Sequence, residues 1–252
     1  VCDHTLSGNN FLTNSVTEVF VGQNAHLHFN RVQNEHNGST QISNIYLNQE
    51  RDSNVSANTI TLHGGLVRNN FFMRLNGENC ENQTLGLYLA DRSQHVDNYV
   101  HMDHAYPNSR SNQLFKGVLD DISTGAFNGR ILVRQDAQKT EAYQSNNNIL
   151  LTNDAKMNSK PQLEIYADDV SCSHGGTSGQ LNEDAMFYLR SRGLPHKEAQ
   201  LLLMYAFAHE VIGEIKIEPL KDRIHELVEK RLRGELSRCN YCEMHCGEPG
   251  KN

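Results

Sequence analysis

The sequence predicts a mainly β fold, a parallel β-helix followed by a small C-terminal α-helical domain, and three observations carry that prediction. Short apolar alternations recur through the first two thirds of the chain, asparagine makes up about one residue in nine, and the composition changes abruptly after about Gly179. Alternation at period two marks strands, and turn signals at this spacing suit either an antiparallel sandwich or a β-helix. The asparagines favour the β-helix. In a stacked solenoid, equivalent positions lie one strand spacing apart, so their amides can hydrogen-bond along the stack.

The expected strands centre on Ile45-Tyr46-Leu47, Ile60-Thr61-Leu62, Leu87-Tyr88-Leu89, Val100-His101-Met102, Ile131-Leu132-Val133, Ile149-Leu150-Leu151 and Leu163-Glu164-Ile165. Polar runs at Asn76–Asn79, Asn108–Asn112 and Asn146–Asn148 read as the turns between them. A first helix follows, with Asn182 as cap, Glu183 and Asp184 in its first turn, and Arg190 and Arg192 before Gly193. Pro195 opens a second helix through Leu201, Leu202, Leu203, Tyr205 and Phe207 to about Ile215; its apolar residues wrap much of the circumference, which predicts burial. A third begins near Pro219 and places Ile224, Leu227, Val228 and Leu232 on one stripe. The domains are therefore residues 1–175, a β-helix core, and residues 176–252, a helical cap with a cysteine-rich tail. The run Gly175–Gly179 reads as a flexible boundary.

Lys and Arg total 23 against 30 Asp and Glu, a net charge of -7, which argues against nucleic acid as a partner. No run of 18 apolar residues exists, and the first twenty residues lack both a basic and an apolar region, so no membrane association is expected. Of six cysteines, Cys2, Cys80 and Cys172 are scattered while Cys239, Cys242 and Cys246 crowd the tail. That is not a disulfide framework, and it predicts a reducing, cytoplasmic setting. A chain opening on Val1 is expected to be a fragment, a processed chain or a trimmed one.

Several motifs only imitate known chemistry. His209-Glu210 lacks the second histidine of a zinc-protease helix, because residue 213 is Gly213. The glycines at 175–179 are followed by no Lys-Ser/Thr pair, so they form no phosphate-binding loop. Asp120-Asp121 and Asp168-Asp169 suggest the rival reading of a solenoid carbohydrate-active enzyme; adjacent strand residues point to opposite faces, however, and neither pair makes a dyad alone. Cys172 and His174 differ. On an extended strand they stand on one face about 7 Å apart, presenting a thiolate and an imidazole together, with further ligands needed from elsewhere. Cys239, Cys242, His245 and Cys246 form a denser, weaker metal candidate, expected to bind zinc or iron only adventitiously.

The run PQLEIYADDVSCSHGGTSGQLNEDAMFYLRSRG from Pro161 to Gly193 resembles the SufB/SufD family of scaffold subunits in the SUF iron–sulfur cluster assembly system, on its SufD side. GVLDDISTGAFNGRILVRQDAQKTEAYQSNNNILL, from Gly117 to Leu151, is similar to the same family. The resemblance implies a right-handed β-helix with a C-terminal helical domain, preceded in the family by an N-terminal helical region not present here. It also implies a non-catalytic subunit of an ATPase-driven SufBCD complex, pairing with a SufB-like paralogue and docking a SufC-like ATPase through the helices from Asn182 to Leu236. His174, and secondarily Cys172, would then serve a transient iron–sulfur cluster or iron at the shared interface. The cysteine that SufB carries in the strand matching Thr140–Ser145 is missing, so this chain is expected to be the partner of the cluster-bearing subunit. The residues leave open a flavin in that complex and a homodimer of the isolated chain.

Overall fold

The structure, a computed structural model, describes residues 11–236. Its strands, in chain order, are β1 (Leu12–Val21), β2 (His26–Asn34), β3 (Thr40–Gln49), β4 (Asn54–His63), β5 (Leu66–Leu75), β6 (Glu81–Ala90), β7 (His95–His104), β8 (Arg110–Leu119), β9 (Thr124–Val133), β10 (Thr140–Leu150), β11 (Lys156–Ile165) and β12 (Val170–Gly179). Odd strands stack in one six-stranded parallel sheet, here sheet A, and even strands in another, sheet B. One odd and one even strand make each turn of a parallel β-solenoid, as the sequence predicts. Leu12 pairs with Thr40, Thr40 with Leu66, Leu66 with His95, His95 with Thr124, and Thr124 with Lys156. The step drifts because the corners differ in length while the strands stay near ten residues.

The asparagines hold both corners and strands. Asn24, Asp52, Asn79, Asn108 and Lys139 sit where an odd strand turns into the next even one, with φ between 56° and 60°. Asn and Asp enter this left-handed region at lower cost than other residues with a side chain. The amide N–H groups of these five donate to the carbonyls of Arg51, Glu78, Pro107, Gln138 and Asp169, each on the following turn. On the strands, Asn58 donates to Asn30 at 2.9 Å, Asn70 to Asn44 at 2.9 Å, and Asn69 to Asn98 at 3.0 Å. These are the amide ladders expected from composition.

One polar run read as a turn, and the second half of another, are strand instead. Asn146, Asn147 and Asn148 lie within β10, and Arg110, Ser111 and Asn112 open β8. Asn146 and Asn148 face the lumen, buried. The buried Tyr88 hydroxyl donates to Asn148 Oδ1 and accepts from Asn146 Nδ2 at 3.3 Å. A polar strand is stable inside because every amide has a partner on a neighbouring turn. The rest of the lumen is apolar: Phe115 meets Phe71 and Phe127 with ring centroids 6.1 and 5.0 Å apart. Gly86 makes room for it, since a Cβ there would strike the Phe115 ring.

Three helices follow, α1 (Glu183–Ser191), α2 (His196–Ile212) and α3 (Glu218–Leu232). Asn182 caps α1, its side chain accepting from the Ala185 N–H at 2.9 Å. The helices do not cap the end of the stack. Instead α2 and α3 lie on the outer face of sheet B, covering Ile60, Leu62, Leu85, Leu87, Leu89 and Val118 with Met204, Val211, Ile224 and Val228. Lys116 fastens α2 through the Phe207 carbonyl at 3.2 Å and Glu210, and Arg231 fastens α3 through the Leu62 carbonyl at 2.8 Å and Asp91 at 2.7 Å. Helix α2 is buried on one side only, Leu202 being exposed, because no described residue covers its far face. The glycine-rich run 175–179, read as flexible, is the second half of β12, so the boundary at residue 175 falls inside a strand.

Candidate functional site

The open end of the solenoid is formed by β11 and β12, each the last strand of its sheet. β11 tolerates Pro161, whose missing N–H suits an edge strand. Val170, Cys172, His174, Gly176 and Ser178 pair in register with Thr140, Ala142, Gln144, Asn146 and Asn148 of β10. Those five β10 residues all face the lumen and are buried. Their β12 counterparts continue the lumen-facing columns by one turn, and no described strand lies beyond them. Cys172 and His174 therefore stand on one face of one strand, as predicted, at the mouth of the lumen.

The two differ in surroundings. Cys172 is half-buried against the lumen cluster of Phe115, Ala142 and Val170, whereas His174 is exposed. Burial pushes the Cys172 thiol up, opposed by a backbone hydrogen bond at Ala142. It is a neutral thiol in the free chain, and an incoming cation would have to bring out the thiolate. Among the described residues no group of three or more His, Cys, Asp or Glu side chains is placed to hold a metal ion. Cys172 and His174 fit an iron or cluster as two ligands, soft sulfur and borderline nitrogen, of an incomplete set.

The other candidates separate cleanly. Cys239, Cys242 and Cys246 lie outside the described residues. Cys80 is fully buried at the corner position that Ser53, Ser109 and Thr140 fill on neighbouring turns, and its Sγ donates to the carbonyls of Glu50 at 3.1 Å and Gly77 at 3.3 Å. It takes the place of a corner hydroxyl. Asp120 and Asp121 are corner residues: Asp121 Oδ2 accepts from the Arg92 N–H at 2.8 Å, and Asp120 Oδ1 from the Asp121 N–H. His209 and Glu210 belong to α2, where Glu210 serves the anchor to Lys116. Sequence reasoning missed Gln144, the register partner of His174, with Gln113 one turn further in and Gly129 facing Gln144 from sheet A. The signal that finds Gln144 and Gln113 is register, successive steps of about 30 residues back from His174.

The chain is similar to known proteins of one family. The family model described as "SUF system FeS cluster assembly, SufBD core domain" matches residues 1–207. The chain is 35% identical over 236 residues to the iron-sulfur cluster assembly protein SufD of Escherichia coli (strain K12), covering 93% of this chain and 56% of that protein. A SufBD family iron-sulfur cluster assembly protein of Synechocystis is 35% identical over 221 residues, 88% of this chain and 49% of its own length. SufD of Bacillus subtilis is 25% identical over 231 residues, 91% and 53%. The chain spans about half the length of the curated relatives it matches.

Proposed function

The chain belongs to the SufBD family of iron–sulfur cluster assembly proteins, and on that premise we propose that it is a non-catalytic, cytoplasmic scaffold subunit that completes a cluster site at the open end of its solenoid together with a SufB-like partner. One observation carries the reading: Cys172 and His174 stand on one face of the last described strand of sheet B, in the lumen-facing columns, where no further described turn covers them. Exposed strand edges at that end offer backbone hydrogen bonds to a partner's strands, and such pairing would bring further ligands over the pair. His174 is the principal ligand, being free of the lumen packing that holds Cys172. The helices supply the dock for a SufC-like ATPase. In support, α1 buries none of its residues and leaves Phe187 75% and Tyr188 57% exposed. Among the described residues no helix is long and apolar enough to cross a membrane.

The test is anaerobic cluster reconstitution on the co-purified complex. His174→Ala should lower cluster yield severely and Cys172→Ala mildly, with the complex intact in both. Normal yield from His174→Ala, or dissociation of the complex, refutes the ligand role. Deleting the helices to test docking would uncover the apolar outer face of sheet B, so the informative change is Phe187→Ser with Tyr188→Ser. That pair should abolish ATPase capture while circular dichroism stays unchanged.

A further inference from the structure

We infer that Gln144 is a positioning residue for His174: its side-chain carbonyl accepts the N–H of one imidazole nitrogen and leaves the other nitrogen, with its lone pair, facing out of the lumen mouth. The inference rests on the reading of His174 as a ligand given above. It begins with a column of the solenoid. His174 pairs in register with Gln144, and Gln144 with Gln113. Register partners on adjacent parallel strands lie about 4.8 Å apart, within reach of one imidazole or one primary amide.

The Gln144 amide has its direction fixed. It is 3% exposed, and its Nε2 donates to Gln113 Oε1 at 2.8 Å. The facing sheet leaves space for it at Gly129, where a Cβ would collide with the amide nitrogen, carbon and oxygen alike. With the amino group bonded to β8, Gln144 has only its carbonyl left to offer the next turn, β12. Gln144 Oε1 is buried and has no hydrogen-bond partner among the described residues. A buried amide oxygen left unsatisfied is uncommon, and here the column offers it one neighbour on the unsatisfied side, His174. That ring makes no hydrogen bond to any described residue.

The chemical consequence follows from imidazole itself. A neutral histidine has one N–H and one lone pair, and whichever nitrogen donates to a fixed acceptor leaves the other to bind a cation. Histidine ligands commonly donate their second nitrogen to a carbonyl or carboxylate, and removing that partner typically weakens metal affinity ten- to a hundredfold. An amide suits this role because it orients the ring without adding charge near the thiol of Cys172.

The tautomer of His174 is read directly by long-range proton–nitrogen correlation on the full chain carrying labelled histidine. Wild type should show one dominant tautomer. Gln144→Met, which keeps the length and removes the acceptor, should give a mixture of both, and Gln144→Glu should restore one. Iron(II) affinity of the co-purified complex should fall about tenfold in Gln144→Met and hold within about threefold of wild type in Gln144→Glu. Should Gln144→Met fail to fold, Gly129→Ala displaces the same amide from the opposite wall and should give the same mixture. An unchanged tautomer ratio in the folded variant overturns the inference. Equal losses of affinity in Gln144→Met and Gln144→Glu also overturn it, since they show that Gln144 only packs. If the tautomer responds while His174→Ala leaves cluster yield normal, the positioning stands and the ligand reading falls.

Discussion

β10 and β12 occupy the same columns one turn apart, and their residues could hardly differ more. In β10 the lumen-facing series is Thr140, Ala142, Gln144, Asn146 and Asn148, all buried, and every polar one of them makes a side-chain hydrogen bond. In β12 the same columns read Val170, Cys172, His174, Gly176 and Ser178, and outward from His174 every residue is exposed. What distinguishes the two strands is whether another turn lies above. A covered position needs an apolar residue or a polar one with hydrogen-bond partners inside the stack; an uncovered one is released from that demand and can carry a thiol, an imidazole or nothing but a hydrogen. Side chains in β12 answer to whatever approaches the mouth, and those in β10 answer to the solenoid.

The sharpest way to break this contrast is to substitute within one column. Phe115, Asn146 and Gly176 stack on successive turns of sheet B. Phe115→Ala should cost about 3–5 kcal/mol, because it empties the space between Phe71 and Phe127. Gly176→Ala should stay within about 0.5 kcal/mol, since a Cβ there meets only the Asn146 carbonyl and Ser159 Oγ at 3.5 and 3.6 Å. Urea denaturation of the two variants measures both. Similar losses would mean that β12 is as tightly held as β8.

Acid titration gives the next largest effect. His104 is fully buried, its Nε2 2.8 Å from Ser111 Oγ, two turns in from Cys172. Burial pushes it down to about 4, with Asp103 opposing. A depressed histidine binds fewer protons folded than unfolded, so stability is complete above about pH 6.5 and is lost as pH falls toward 4, by about 3 kcal/mol from this group. His104→Gln should flatten that limb of the stability profile. An unchanged slope would show that His104 does not govern it.

Tyr88→Phe is a smaller probe of the covered region. It strips Asn148 Oδ1 and Asn146 Nδ2 of a shared hydroxyl and should cost about 1–3 kcal/mol by chemical denaturation. The smallest effect belongs to the open end. His174→Ala should move stability by about 1 kcal/mol at most, because the ring is exposed and all it gives up is the single inferred bond to Gln144. A larger loss would make His174 a structural residue and blur the distinction between the two strands.

Much of this architecture is legible in the sequence, and the illegible part has one cause. β3, β4, β6, β7, β9, β10 and β11 each carry an apolar alternation that announces a strand. β8 and β12 carry little of one, because a solenoid lumen accepts Ser111, Gln113, Asn146 and Asn148 wherever neighbouring turns satisfy them. Polarity then imitates a turn, as at Asn146–Asn148. The helices declare themselves through Asn182, Pro195 and Pro219, yet their seat on the side of sheet B does not, since Ile60 and Leu62 serve a lumen strand and a helix-covered face equally well. At the site, period two places Cys172 and His174 on one face. That Gln144 stands behind His174 depends on corner lengths that vary from turn to turn, and only the assembled register reveals it.

The nearly constant offset between stacked strands also bears on how the chain reaches this state. Every strand of sheets A and B finds its hydrogen-bonding neighbours about thirty residues away, never across the whole chain. Loop closure therefore carries about the same entropy at each turn, and a completed turn is a template for the one beside it. Such a chain can nucleate in its middle turns, where Phe71, Phe115 and Phe127 meet, and zip toward both ends. β12, with glycine at 175, 176 and 179 and one flank unpaired, is then among the last strands to order and the first to fray.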